Sequence, residues 1–275
     1  MHAKSILITG CSTGIGYYCA KALQKEGYKV FATAREKADV TRLRSEGLES
    51  YQLDLDDSKS IQKALDEVLE QTGGKLYALF NNGAFGQPGA VEDLSRDVLK
   101  AQFETNVFGT HELTTKVLPI MRKQGYGRII QNSSILGFVA MRYRGAYNAS
   151  KFALEGLSDT LRLELEKTNI FVSLIEPGPV RSDFRKNALI KFKNNIDREN
   201  SPFKALYKTK QASLESTEDV PFTLGEEAVF KVLLHALEAK VPKERYRVTK
   251  PTTMFWFLKR ILSTRTLDKI LRKVE

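Results

Sequence analysis

Tyr147 and Lys151 stand four residues apart in a stretch of helical periodicity, so their side chains lie one turn above each other on one face. A phenol with the ordinary pKa of about 10 is a poor acid–base catalyst at neutral pH, and a fixed ammonium beside it favours the phenolate. Ser134 precedes the pair, just beyond a short apolar run through Ile129 and Ile130 that reads as the end of a buried parallel strand. Open α/β sheets place their ligands at such strand ends. Hydroxyl, phenol and ammonium together make a proton-transfer site for interconverting a carbonyl and an alcohol. A Tyr and a Lys at this spacing are common on solvated helices, so the case rests on the elements around them.

Those elements alternate between strand and helix. Ser5 to Thr9 reads as a buried strand and runs at once into Gly10, Ser12, Thr13, Gly14, Ile15 and Gly16, with an apolar-periodic helix beyond. Glycines there let a backbone approach phosphate, and the helix start offers free N–H groups and the positive end of its dipole. Their place between strand and helix predicts a dinucleotide pyrophosphate site, although the spacing G-x-x-x-G-x-G differs from the commoner G-x-G-x-x-G. A second strand, Lys29 to Ala34, ends at Arg35 with no acid at Thr33 or Ala34. An acid at that point binds the ribose 2′-hydroxyl of NAD, whereas an arginine accommodates the 2′-phosphate of NADP. NADP(H) is therefore the preferred cofactor and NAD(H) the alternative.

A third strand near Ser50 to Leu53 delivers Asp54 and Leu55, with Asp54 towards the adenine, and Asp57 or Ser58 caps the following helix. A fourth, Leu76 to Phe80, ends in Asn81, Asn82, Gly83 and Ala84, side chains suited to close passage of a cofactor ribose. One helix is expected from about Ser95 to Arg122, with Asn106 in its middle, where an amide ordinarily points to solvent. The next, about Ala146 to Lys167, carries Tyr147 and Lys151 and then a leucine stripe for the core or a subunit contact. A sixth strand, Ile170 to Ile175, leads to Pro177, Gly178 and Val180. The alternation predicts an α/β fold with a doubly wound parallel sheet, in one domain over residues 1–250.

Regularity drops from Asp183 to Phe222, a basic stretch whose length and phenylalanines, Phe184 among them, point to a substrate lid. A helix from about Gly225 to Lys240 and a strand near Tyr246 to Thr249 complete the sheet. Residues 251–275 form a basic amphipathic tail, with Leu267, Ile270, Leu271 and Val274 opposite Lys269, Arg272 and Lys273. Such a tail packs on its own domain or a partner subunit, or makes peripheral contact with an anionic membrane.

A chain of 275 residues suits one large α/β domain with an appendage. The net charge of +10 is concentrated in two segments: nine basic against three acidic residues over 181–210, and eleven against three over 240–275. The motif-bearing remainder is slightly acidic, which argues for a local basic surface and against a general nucleic-acid binder. Cys11 and Cys19 cannot build a disulfide framework, so a reducing cytoplasm is expected. The histidines His2, His111 and His235 lack metal-ligand spacing, and no metal site is read.

Taken in order, Thr9-Gly10, Gly14-Ile15-Gly16, Asn81-Asn82, Asn106, Ser134, Tyr147 with Lys151, and Pro177-Gly178 make the chain resemble the short-chain dehydrogenase/reductase family from Ser5 to about Val180. One departure is Gly83-Ala84, where the family usually has Ala-Gly. The resemblance is strongest to bacterial NADP-dependent aldehyde reductases and more distant to hydroxysteroid and retinol dehydrogenases. It implies that Tyr147 exchanges a proton with the substrate oxygen, that Lys151 lowers its pKa and binds the nicotinamide ribose, and that Ser134 hydrogen-bonds the carbonyl. Asn106 would hold a water leading from Lys151 to solvent. Family members often dimerise through long helices, so a homodimer or homo-oligomer is expected. Phe85, Phe138, Met141, Tyr143 and Phe184 are the pocket candidates and favour an apolar aldehyde, ketone or alcohol. The competing expectations are a steroid- or retinoid-type dehydrogenase working oxidatively, and a catalytically silent NADP-binding sensor.

Overall fold

Short apolar runs between helices close into a seven-stranded parallel sheet in a computed structural model that describes residues 4–274. His2 and Glu275, the last residue of the tail, lie outside the described residues. The strands are β1 (Ser5–Ile8), β2 (Lys29–Ala34), β3 (Glu49–Gln52), β4 (Ala78–Asn81), β5 (Gly127–Asn132), β6 (Ile170–Glu176) and β7 (Arg245–Arg247), in the order β3-β2-β1-β4-β5-β6-β7. On β1, Ile6 and Ile8 face one apolar core and Leu7 the other, so the strand is buried on both faces and reads as a continuous apolar run. The first core is closed by α1 (Gly14–Lys25), α2 (Lys37–Ser45) and α9 (Glu227–Glu238). The second is closed by α3 (Ser58–Thr72), α5 (Thr110–Gln124) and the far end of α6 (Gly145–Glu164). Asp57 caps α3, its carboxylate accepting from Lys59 N at 2.9 Å. Strand order reverses between β1 and β4, which opens a crevice at their carboxyl ends.

Three stretches differ from expectation. The helix through Asn106 is not continuous: α4 (Arg96–Phe103) passes into a π-helical segment, Glu104–Gly109, before α5 begins. The segment ends at a close approach. A Cβ on Gly109 would stand 1.9 Å from the Leu55 carbonyl oxygen, so helix and β3 loop meet there backbone to side-chain-free backbone. The basic stretch 183–222 is not irregular but holds α7 (Phe184–Asn195) and α8 (Lys204–Glu215). Phe192 and Tyr207 give these helices a small core with Ala90 and Ile196, and Tyr207 also bonds Asp93. The last strand, β7, is shorter and begins one residue earlier than expected.

The tail forms α10 (Lys250–Ile261) and α11 (Thr264–Leu271), capped by Thr249 and Ser263. Their apolar sides, Phe255, Leu258, Leu267, Ile270 and Leu271, join one cluster with Tyr147. Among the described residues no helix is long and apolar enough to cross a membrane.

Candidate active site

The site forms where β5, β6 and α6 meet. β5 ends at Asn132, and Ser134 then caps a single 3-10 turn, its Oγ accepting from Leu136 N at 3.0 Å. The turn is tied to β6 because Ile135 N donates to the Pro177 carbonyl at 2.8 Å. Opposite, the first turns of α6 present Tyr147 and Lys151. Both are almost enclosed, at 9% and 3% exposure, and Ser134 lies beside the phenol. Lys151 Nζ donates to the Asn132 carbonyl at 2.7 Å and stands 5.7 Å from the Tyr147 ring centre.

Burial decides the protonation states. It pushes the Tyr147 phenol up to about 12, against a hydrogen bond from Ser134 and the charge of Arg144, which pull it down. It pushes Lys151 down to about 8, with the Glu155 carboxylate acting in the other direction. The phenol therefore lies above its ordinary value and not below it as expected, because desolvation is the largest influence on the ring while Lys151 Nζ donates to the Asn132 carbonyl.

Asn106 is likewise not a solvent-facing amide. It is buried in the π-helical segment, accepts from Phe85 N at 3.1 Å and donates to Phe85 O at 2.9 Å and Ser150 Oγ at 3.1 Å. Both amide hydrogens are used, so the side chain fixes Phe85 and the residue preceding Lys151 and is not aimed at the ammonium.

At the crevice, Gly10 and Gly14 have φ of +69° and +57°, backbone that side chains rarely adopt. A Cβ on Gly16 would lie 2.2 Å from the Gly10 carbonyl, so this glycine lets the helix start close on the turn. Thr13 begins α1 without a side-chain cap, which leaves first-turn N–H groups to a ligand. These features fit a dinucleotide pyrophosphate along Gly10, Ser12, Thr13, Gly14 and Ile15. Thr9 Oγ1 accepts from Asn82 N and Gly83 N at 2.9 and 2.8 Å, and Asn82 Nδ2 donates to Thr9 O and Gly10 O, both at 3.0 Å. Neither Gly83 nor Ala84 has a positive φ, so the departure from Ala-Gly strains nothing.

The other expected residues fall at the same rim. Arg35 is exposed at the end of β2 beside Glu36, with which it pairs at 3.0 Å. The Asp54 carboxylate accepts from Asp56 N at 3.1 Å and stays partly open, while Leu55 is buried beside Gly83. Gly178 admits the hydroxyls of Thr249 and Thr252, and Val180 bridges to Leu224. Next along, Ser182 stands against Gly14, so the loop into α7 crosses the glycine turn.

Of the five pocket candidates, Phe138, Met141 and Phe184 share the cluster around Tyr147. The Phe184 ring meets the Tyr147 ring edge-on at 5.2 Å. Phe85 lies outside that cluster, its ring under Lys191 Nζ at 4.7 Å. Tyr143, with φ of +58°, turns away and packs edge-on against Phe203 and Tyr207. Of the other lid phenylalanines, Phe192 and Phe203 serve the lid's own core and Phe222 is exposed. No group of residues that could hold a metal ion occurs among the described residues.

The short chain dehydrogenase family profile matches residues 4–191. The chain is 43% identical over 269 residues to an uncharacterized oxidoreductase of Escherichia coli, YbbO, covering 98% of this chain and 94% of the other. The chain belongs to the short-chain dehydrogenase family. It is 34% identical over 262 residues to human 17-beta-hydroxysteroid dehydrogenase type 1, covering 89% of this chain and 77% of that one. Actinorhodin polyketide ketoreductase, solved with NADPH, superposes with a TM-score of 0.72 at 26% identity, covering 90% of this chain and 95% of the other. The protein is an oxidoreductase of this family, and the family's fold is the sheet described above.

Residues without a motif of their own surround the candidate site. Asn132 fixes Lys151 through its carbonyl and Asn82 through its amide, Nδ2 donating to Asn82 Oδ1 at 2.8 Å. Its place directly before the serines was the available signal. Gln102 joins Asn106 in holding Phe85 O, at 2.8 Å. Behind Lys151, Arg245 of β7 gathers three carboxylates: Glu155, Glu176 at 2.6 Å and Asp159 at 2.6 Å. Burial raises Glu155 to about 7 and also raises Glu176, while Arg245 opposes both shifts. Glu176 immediately precedes Pro177, so this cluster ties the catalytic helix to the loop carrying Gly178.

Proposed function

We propose that the dehydrogenase reduces apolar aldehydes or ketones with NADPH, using Tyr147 as proton donor. The observation that carries this reading is an enclosed phenol beside Ser134 and under an apolar wall that includes Phe138, Met141 and Phe184. NADPH supplies the hydride that the carbonyl carbon accepts. Ser134 holds the carbonyl oxygen, and Tyr147 Oη gives that oxygen its proton, so the product is the alcohol. Lys151 stabilises the phenolate left behind, its Nζ fixed by the Asn132 carbonyl. The same groups would serve the reverse reaction, and it is NADP usage that favours reduction; oxidation of steroid and retinoid alcohols therefore ranks second. The intact catalytic set speaks against a silent sensor.

Arg35 and the lack of an acid at the end of β2 support NADP over NAD. Exposed Phe108 and Leu157 supply apolar surface for a second copy. NADPH oxidation against a panel of aliphatic and aromatic aldehydes, ketones, retinoids and sugars, with NADH in parallel, tests the reading. Turnover of apolar carbonyls with NADPH is expected. Turnover of polar sugars alone, or equal use of NADH, contradicts it.

A further inference from the structure

The tail helices have a second side. α10 turns Phe255 and Leu258 inward, and an adjacent face carries Met254, Phe257 and Ile261 at the i, i+3, i+7 spacing of one helical stripe. These three are 49%, 54% and 74% exposed, so large apolar side chains form a row in water. On the same helix Trp256 is clasped by Arg247 and Arg260, whose guanidinium carbons lie 4.0 and 3.6 Å from its ring centre. Helix α11 and the residues just after it add a cationic rim of exposed Arg265, Lys269, Arg272 and Lys273. Over residues 250–274 the sequence has seven basic residues and one acidic.

We propose that this face is a docking surface for an anionic lipid bilayer, with Met254, Phe257 and Ile261 entering the headgroup region and the rim meeting lipid charge. The combination of an apolar stripe and a basic border is the signature of helices that lie in the membrane interface. Charge selects the bilayer over a second copy of the chain, because two such faces brought together would oppose like charges. At twelve residues, α10 is too short to span, so the contact is peripheral. The inner faces of the same helices pack around Tyr147, so docking would set the reaction site next to the phase in which apolar carbonyl compounds partition.

Flotation with lipid vesicles tests this without relying on turnover. Full-length protein is mixed with vesicles of phosphatidylcholine alone or of phosphatidylcholine with phosphatidylglycerol, at low and high salt. Co-flotation is expected with the phosphatidylglycerol vesicles and not with the neutral ones, and salt weakens it. F257E/I261E should bind at least about tenfold less tightly, with unchanged circular dichroism and thermal unfolding. Failure of the wild-type protein to float, or equal flotation of the variant, overturns the proposal. So does a wild-type dimer in solution that F257E/I261E splits, since the stripe then belongs to a second copy.

Discussion

Glu155 lies one turn beyond Lys151 on α6, and its carboxylate is the charge that holds the buried ammonium up against desolvation. The two groups titrate near each other, Lys151 at about 8 and Glu155 at about 7, and Glu155 answers in turn to Arg245 and Glu176. For reduction, kcat/KM should fall as pH rises through about 8, because Lys151 loses its proton while Tyr147 keeps its own. Glu155→Gln removes the anion that favours the ammonium, so this limb moves to lower pH. A pH profile of kcat/KM for both proteins checks the shift. An unmoved limb would mean that Glu155 only supports structure.

Arg245→Met leaves Glu155 and Glu176 enclosed with no cation between them. Breaking a buried pair from one side costs about 3 to 5 kcal/mol, which denaturant unfolding would measure. The sign with pH follows from the carboxyls. With the guanidinium gone, their folded pKa values rise further above the unfolded ones, so stability is kept at low pH and lost as pH climbs through the folded values. The variant should therefore lie nearest to wild type in acid, and a deficit that is larger in acid would contradict this.

Phe184 and Phe255 both cover Tyr147 but differ in cost. Phe255 is fully enclosed, and Phe255→Ala should lose about 3 to 5 kcal/mol of stability. Phe184 is only partly buried at the start of α7, so Phe184→Ala should unfold near the wild-type temperature. Its effect belongs to the site: a more open approach to Tyr147 and a changed preference among bulky and slender carbonyl substrates. Ratios of kcat/KM across a series of graded size would show it. An unchanged series would remove Phe184 from the substrate path.

Arg35→Ala should weaken NADPH by about tenfold or more and leave NADH nearly untouched, the loss of a charge-assisted phosphate contact. Fluorescence titration of both cofactors reads this directly. Equal losses would take Arg35 off the 2′-phosphate.

The sheet and the glycine turn were legible because strands buried on both faces leave unbroken apolar runs, and because Gly10, Gly14 and Gly16 sit between one such run and a helix. Ser134, Tyr147 and Lys151 were legible for a related reason, since helix and strand geometry place them locally. The π-helical segment at Asn106 was not: its last residue, Gly109, meets the Leu55 carbonyl, a neighbour from another part of the chain. In the lid, basic and polar residues masked Phe184, Ala188 and Phe192, whose four-residue spacing is the helical signal of α7. The tail's amphipathic pattern announced an apolar face but not that Phe255 and Leu271 would cover Tyr147. The Arg245 cluster left no local trace, as Arg245 and Glu155 are 90 residues apart.

Tyr147→Phe bears most directly on the central claim, measured as single-turnover NADPH oxidation with an apolar aldehyde alongside NADPH titration. The account expects cofactor affinity within a few-fold of wild type and a rate lower by roughly 10²- to 10⁴-fold, the usual worth of a positioned general acid. A rate close to wild type with intact NADPH binding would contradict it, because the proton would then come from elsewhere.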